Sequence, residues 1–305
     1  VTTKLDGHSI TVEFVVEKGK VKISKALTRG ENGVGKDLTE LFIKNAKSVP
    51  MAVELKQNHA IGYEAIVTYK DFEALNIATK GKYKNPRSCV GGILSNSGAE
   101  LFKYLTLVPI KIVTQDGTLN RQDQLDIILG GMPNADYLEA ELMDLDTIVD
   151  YYNMLEDQRL INDSHKGIMY DGLVIESMDE KLRTKLGHTS TEPNYATALK
   201  FTPISKETNV VNVSWSVEGH SARFTPVVNF DPVVIRGNTY KQVSLANYGR
   251  FKELNLHVGS PILFALRNDT LGYVDKIEGR CKPIGELLKA PTVCPACNSK
   301  LVVST

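Results

Sequence analysis

Between residues 9 and 27 apolar and polar side chains alternate. Ile10, Val12 and Phe14 fall on one face, with Ser9, Thr11 and Glu13 on the other, and Val21-Lys22-Ile23-Ser24 continues the pattern. A period of two is that of a half-buried strand. Glu17-Lys18-Gly19-Lys20 interrupts it with a glycine, which predicts a hairpin. Asp37 opens a short helix over 37–47 that ends before Pro50. A strand follows over 60–69, and Asp71 is expected to cap a helix over 72–78. Residues 80–98, with Gly81, Asn85-Pro86-Arg87 and Gly91-Gly92, read as loop, and 105–113 as a buried strand. Leu138, Leu142, Leu145, Ile148, Tyr152 and Leu155 recur at helical spacing within 134–163, and 168–176 and 196–201 carry strand signals.

After Pro203 the texture changes. Short alternating runs at 210–217, 224–230, 233–235, 261–266 and 271–277 are punctuated by Gly219, Gly237, Gly249, Gly259 and Gly272, with a helix near 248–254. Five short strands and one helix predict a small closed barrel of the oligonucleotide-binding type. The chain therefore reads as an α+β protein in three parts: 1–203, 204–285 and a terminal segment, 286–305. Its 305 residues are the length of about two domains.

Composition narrows the class. Lys and Arg total 36 and Asp and Glu 36, with 42% hydrophobic and 24% charged residues, the balance of a globular protein and not of a disordered or histone-like basic chain. No apolar run approaches the length of a membrane-spanning helix and no apolar leader opens the chain, so the expectation is a cytoplasmic protein without a membrane partner. The charge is segregated. Residues 134–163 hold nine acids and one arginine, a stretch that turns away from nucleic acid, while 1–50 and 198–280 are basic. Of four cysteines, Cys89 and Cys281 read as small buried apolar residues. Cys294-Pro295-Ala296-Cys297 has the spacing with which two thiolates grip one zinc ion, and equally that of a free or redox-active pair.

The chemistry begins at Lys4-Leu5-Asp6-Gly7: an amine nucleophile, a carboxylate two residues on, and a glycine for a sharp turn. In order follow the block at 28–39 with Arg29, Gly30, Gly33 and Gly35, then Tyr63-Glu64-Ala65, Asn85-Pro86-Arg87-Ser88, Asp171-Gly172-Leu173-Val174-Ile175 and Ala198-Leu199-Lys200-Phe201. This ordered set resembles the nucleotidyltransferase core of NAD-dependent DNA ligases, an ATP-grasp-like adenylation fold, starting at the adenylated lysine. Val217-Glu218-Gly219-His220, Phe224-Thr225-Pro226-Val227 and Val243-Ser244-Leu245-Ala246-Asn247 resemble that family's OB-fold, and the terminal Cys pair the first half of its zinc finger.

The resemblance implies that Lys4 attacks the α-phosphorus of NAD and passes adenylate to a 5′-phosphate of nicked duplex DNA, whose 3′-hydroxyl then displaces it. Glu64 would accept the ribose hydroxyl, and Arg29 and Arg87 would meet phosphate. Val174 would wall the adenine, and Lys200 would neutralise the α-phosphate. Asp6 and Asp171 would orient lysines or hold Mg²⁺. Arg87, His220, Ser221, Arg223, Asn247 and Arg250 would grip DNA, and Cys294 and Cys297 would bind zinc. The other histidines read as surface or core residues. An ATP-dependent ligase or capping-type enzyme shares the core, but the 28–39 block and the Cys pair argue against it.

The chain also departs from the family. Thr2 and Thr3 stand where an acid reads the adenine, Glu176 where a lysine ends the strand, Ser95 where an arginine is found, and Ile110 near the place of the aromatic that stacks on the base. His220 replaces an arginine and Ala246 a histidine. Glu176 is expected to repel the α-phosphate, so that Glu176→Lys raises adenylation. The family's nicotinamide-binding domain precedes the lysine motif and is absent from this sequence. Three accounts follow: one subunit of a split, bacteriophage-type ligase whose partner chain supplies that domain and the other zinc ligands, a fragment, or a degenerate DNA-binding copy.

Overall fold

The computed structural model describes residues 1–30, 34–95, 99–162, 166–189, 193–217, 223–235, 238–267, 271–277, 285–294 and 297–303. The chain divides into two units, Val1–Phe201 and Thr202–Thr305.

In the first unit, β2 (His8–Glu17) and β3 (Lys20–Thr28) form the expected hairpin, with Lys18 and Gly19 both at positive φ in its turn. With β4 (His59–Ile66) and β5 (Thr106–Thr114) they make an antiparallel sheet in the order β3-β2-β4-β5. Ile10, Val12 and Phe14 of β2 and Ile61, Tyr63 and Ala65 of β4 are buried, as their alternation requires. Against them pack Phe42 of α1 (Thr39–Lys44) and Cys89, Val90 and Ile93 of α3 (Pro86–Ser95). Each fully buried side chain of this size contributes about 1.5–3 kcal/mol. Burial also pushes the Cys89 thiol up to about 11.

The segment read as loop is the helix α3. Pro86 occupies its first turn, where a missing N–H costs nothing, and the Asn85 side chain accepts from the Ser88 N–H at 2.8 Å. Helix α2 (Tyr69–Ala78) begins at Thr68 rather than Asp71, because the Thr68 hydroxyl accepts the Asp71 N–H and donates to its carboxylate.

A second sheet, in the order β1-β6-β7, joins β1 (Thr2–Leu5), β6 (Tyr170–Glu176) and β7 (Ala196–Lys200). Beside it the acidic stretch forms α5 (Leu145–Asn162), whose Ile148 and Leu155 pack with Tyr170, Leu173 and Phe201. Leu138 is buried but lies outside the helix, after a short turn at Ala135–Tyr137. The helices α4 (Arg121–Leu129) and α6 (Glu180–Leu186) have no counterpart in the apolar pattern. Their starts are set by polar caps, Asn120 accepting from Asp123 and Asp179 from Lys181.

The second unit is a five-stranded sheet: β8 (Ser205–Val217), β9 (Phe224–Ile235), β10 (Asn238–Ser244), β11 (Pro261–Arg267) and β12 (Leu271–Lys276), in the order β10-β9-β8-β11-β12. The runs at 224–230 and 233–235 are one strand, and β10, mostly polar and exposed, lay outside the apolar pattern. β10 and β12, the two ends of this order, also come together: Val243 stands 3.2 Å from where a Cβ on Gly272 would be. Helix α7 (Tyr248–Leu254) buries Phe251 and Leu254 in the core with Val228, Phe230, Ile262 and Phe264.

Candidate active site

A cleft of about 610 Å³ opens in the first unit. Its shape follows from strand register. Lys4 pairs with Gly172, which pairs with Lys200; Thr2 pairs with Val174, which pairs with Ala198; and Glu176 pairs with Ala196. Residues two apart share a face, so three rows lie side by side on one face of the sheet: Lys4–Gly172–Lys200, Thr2–Val174–Ala198 and Glu176–Ala196.

The register slips between Lys4 and Leu5, leaving Asp171 as an extra residue on β6. A bulge re-aims the side chain next to it, and Asp171 turns to the lysine: Oδ1 lies 2.8 Å from Lys4 Nζ, outside hydrogen-bond alignment, and Oδ2 lies 4.0 Å from Lys200 Nζ. Gly172 makes the bulge possible. Its φ is +145°, and a Cβ there would stand 2.1 Å from the Leu199 carbonyl oxygen. Gly7 has a similar reason, since its Cβ would meet the Ala65 carbonyl oxygen at 2.2 Å.

Glu64, on the facing sheet, is pushed up to about 7 by burial, partly offset by the charge of Lys4 and a hydrogen bond from the Gly7 backbone. Asp6 is buried and ion-paired with Arg87 of α3, while its Oδ2 has no hydrogen-bond partner among the described residues. Arg29 lines the cleft, and its backbone N–H binds the Ser9 carbonyl at 3.0 Å. The 28–39 block is fastened by Lys36, whose ammonium caps α3 at the carbonyls of Leu94 and Ser95 (2.8 and 3.0 Å). Lys4, Asp6, Arg29, Glu64, Arg87 and Val174 thus line one cleft, with Asp171 meeting Lys4 and Lys200 meeting Asp171.

Glu176 behaves unlike the sequence expectation. It lies roughly 13 Å along β6 from Gly172, at about 3.3 Å per residue, and is held by two arginines: Arg121 Nη2 at 2.6 Å and Arg183 Nη1 at 3.0 Å. Burial would raise its carboxyl, but the two guanidinium groups hold it below the usual range. Arg121, Arg183, Lys111 and Tyr195 were not singled out in the sequence, where nothing connects them; Arg183 stacks 3.9 Å over the Tyr195 ring. His8, read as surface or core, also lines the cleft, with a buried Nδ1 that has no hydrogen-bond partner among the described residues and a pKa lowered by burial.

The carboxylates do not form a cation cage. Asp6 faces a guanidinium and Asp171 two ammonium groups, and no cluster of three metal-ligating side chains occurs among the described residues. At the C-terminus, the Asn298 N–H binds the Cys294 carbonyl and the Cys294 N–H binds the Ser299 carbonyl, which turns the chain back. The pKa of the exposed Cys297 thiol is lowered by its hydrogen bonding with Ser299 and then with Cys294. Two thiols supply half of a tetrahedral set, so these residues alone do not complete a structural zinc site.

In the second unit His220 and Ser221 lie outside the described residues, and Arg223 is exposed just before β9. Asn247 caps α7, accepting the Arg250 N–H at 2.9 Å. Arg250 pairs with Glu253 and Asp275 and donates to the Val274 carbonyl.

Among the described residues no helix is long and apolar enough to cross a membrane. A family model described as NAD-dependent DNA ligase adenylation domain matches residues 1–204. Among similar proteins is the DNA ligase of Leptospira interrogans serovar Lai, 28% identical over 98% of this chain and 43% of its own length. The DNA ligases of Clostridium botulinum strains Loch Maree and Kyoto are 30% and 31% identical, each over 99% of this chain and 45% of their own. The chain spans less than half the length of these relatives. Residues 1–204 place it among known sequences: the chain belongs to the NAD-dependent DNA ligase adenylation domain family.

Proposed function

We propose that the first unit is the adenylating centre of an NAD-dependent DNA ligase that seals nicks in duplex DNA. The neutral amine of Lys4 attacks the α-phosphorus of NAD. A P–N bond forms, the P–O bond to nicotinamide mononucleotide breaks, and the amine proton passes to a carboxylate of the cleft. A DNA 5′-phosphate then attacks the lysyl-AMP phosphorus and releases Lys4. Finally the 3′-hydroxyl attacks the 5′-phosphate, expelling AMP. Such transfers depend on positioning and charge neutralisation. Asp171 orients Lys4, Lys200 and Arg29 neutralise phosphate oxygens, and Glu64 accepts a ribose hydroxyl. Mg²⁺, if used, is carried by the nucleotide phosphates and not by a protein cage. The nicotinamide half of NAD is held by a domain on a partner chain, and nicked DNA is gripped by Arg87 of the first unit and by His220, Ser221 and Arg223 of the second.

The observation that carries this reading is the 2.8 Å approach of Asp171 to Lys4 with Lys200 on the other carboxylate oxygen. The test is incubation with labelled NAD and the candidate partner chain, followed by a denaturing gel and mass spectrometry. One adenylate should appear on the chain and be lost in Lys4→Ala. No label with any partner, together with salt-dependent binding of nicked DNA, would instead mark a scaffold.

A further inference from the structure

The acidic helix has a use that its charge conceals. Lys200 ends β7, an outer strand of the sheet β1-β6-β7. The Phe201 N–H binds the Asp171 carbonyl at 3.0 Å, so that 201 and 171 form a hydrogen-bonded pair, and Lys200 stands opposite Gly172 in the next pair of the ladder. In an antiparallel ladder such pairs alternate, and the Lys200 carbonyl therefore points away from β6. No strand pairs with β7 on that side among the described residues. Helix α5 covers it instead: the Tyr152 hydroxyl donates to the Lys200 carbonyl at 3.1 Å.

The same helix holds the next residue. Phe201 is buried against two rings, Tyr152 at 5.2 Å and Tyr170 at 5.4 Å between centroids, and the Tyr170 hydroxyl donates to the Leu155 carbonyl of α5 at 2.9 Å. The Lys200 side chain is 50% exposed, with its ammonium 4.0 Å from Asp171 Oδ2. A half-exposed ammonium on a flexible four-carbon stem reaches only where its backbone aims it. The Tyr152 hydroxyl also lies 3.2 Å from Glu156 Oε1, one turn on, and its single proton serves one acceptor at a time.

We propose that Tyr152 is a positioning residue for the phosphate-binding cation. Its hydroxyl fixes the Lys200 carbonyl and its ring seats Phe201, so that the end of β7 presents Lys200 to the α-phosphate. This rests on the assignment of Lys200 to that phosphate. The acidic helix, whose charge turns away from nucleic acid, thus acts on the reaction through the strand beside it.

Equilibrium binding of AMP, and of adenosine, which lacks the phosphate, tests this on the intact chain without any turnover. The wild type should prefer AMP, and Lys200→Met should lose most of that preference. Tyr152→Phe keeps the ring and removes the hydroxyl. It should lower the affinity for AMP about threefold, the low end of a hydrogen bond's worth because the proton is shared, and leave that for adenosine unchanged. In the Lys200→Met background Tyr152→Phe should have no further effect, which is the coupling that positioning requires. An unchanged preference for AMP in Tyr152→Phe overturns the proposal. So does a loss shared equally by adenosine, or one that persists without Lys200, since either marks a merely structural hydroxyl. A wild type without preference for AMP, or a Lys200→Met protein that retains it, refutes the assignment of Lys200 to phosphate and the proposal with it. A loss confined to Lys200→Met refutes only the role of Tyr152.

Discussion

Arg121 holds one oxygen of Glu176 with two nitrogens, Nε at 2.8 Å and Nη2 at 2.6 Å. Arg183 takes the other oxygen, and all three side chains are about nine-tenths buried or more. Removing one partner of a buried pair leaves an uncompensated charge and costs about 3–5 kcal/mol. Glu176→Ala is therefore expected to lower the urea midpoint strongly. Glu176→Lys should be worse, because it sets a third cation between two guanidinium groups, and it should reduce adenylation where the sequence alone suggested a gain. A Glu176→Lys protein as stable as wild type would show that the cluster contributes little.

Glu64 makes the apo protein and the nucleotide respond to pH in opposite directions. Its carboxyl is raised from the ordinary value of 4.5 to about 7 by burial. A raised acid binds its proton more tightly when folded, so its stabilising effect is complete below about 4.5 and is lost as pH rises through about 7. The ionised form costs on the order of 3 kcal/mol above that pH. Urea unfolding of ligand-free Glu64→Gln at pH 8 should show a gain of that order, vanishing at pH 4. Binding of AMP, which uses the carboxylate as acceptor, should strengthen as pH rises through about 7 in the wild type and stay flat in Glu64→Gln.

Two glycines of the site motifs differ from the glycine of the hairpin. Gly7→Ala and Gly172→Ala each drive a methyl group into a backbone carbonyl, at 2.2 and 2.1 Å, and neither carbonyl sits on a flexible side chain. Losses of about 3 kcal/mol are expected by the scale of core overpacking, to which Gly172, at positive φ, adds backbone strain. Gly19 also has a positive φ, +74°, but open space around it, so Gly19→Ala should cost about 1 kcal/mol. Thermal unfolding of the three variants orders them. Equal shifts would mean that close approach of the backbone adds nothing at the two site positions.

These contrasts mark what a one-dimensional reading reaches. Lys4, Glu64, Asp171 and Lys200 stand in short motifs whose order along the chain carried them into one site, and the period-two pattern of β2 to β4 placed the core strands. The pairing of Arg121 with Glu176 spans 55 residues and joins a helix without an apolar stripe to a strand end. No local pattern encodes it. Lys111 reaches the cleft because of a bulge at Gly62/Tyr63, and a one-residue slip in register leaves no mark in composition. Helix α3 was hidden by its two glycines: Gly92 is there because the Tyr83 ring lies 2.4 Å from where a Cβ would be, which is a packing demand and not a turn signal.

Asp6 and Arg87 offer the most direct test of how the lysine motif is held. Asp6 is 3% exposed, its Oδ2 is without a hydrogen-bond partner among the described residues, and Arg87 is its counter-ion across 81 residues. The Arg87 side chain is itself one-third exposed, so its loss removes little packing. Arg87→Met should nevertheless cost about 3 kcal/mol, because it strands a buried carboxylate. Asp6→Asn leaves a neutral amide and an arginine free to turn to solvent, and should cost about 1 kcal/mol. The double variant should be more stable than Arg87→Met alone, since the stranded charge is gone, and urea unfolding of the four proteins in this cycle measures the coupling directly. Additive losses would place Arg87 at the cleft for phosphate alone, with Asp6 tolerating burial unaided.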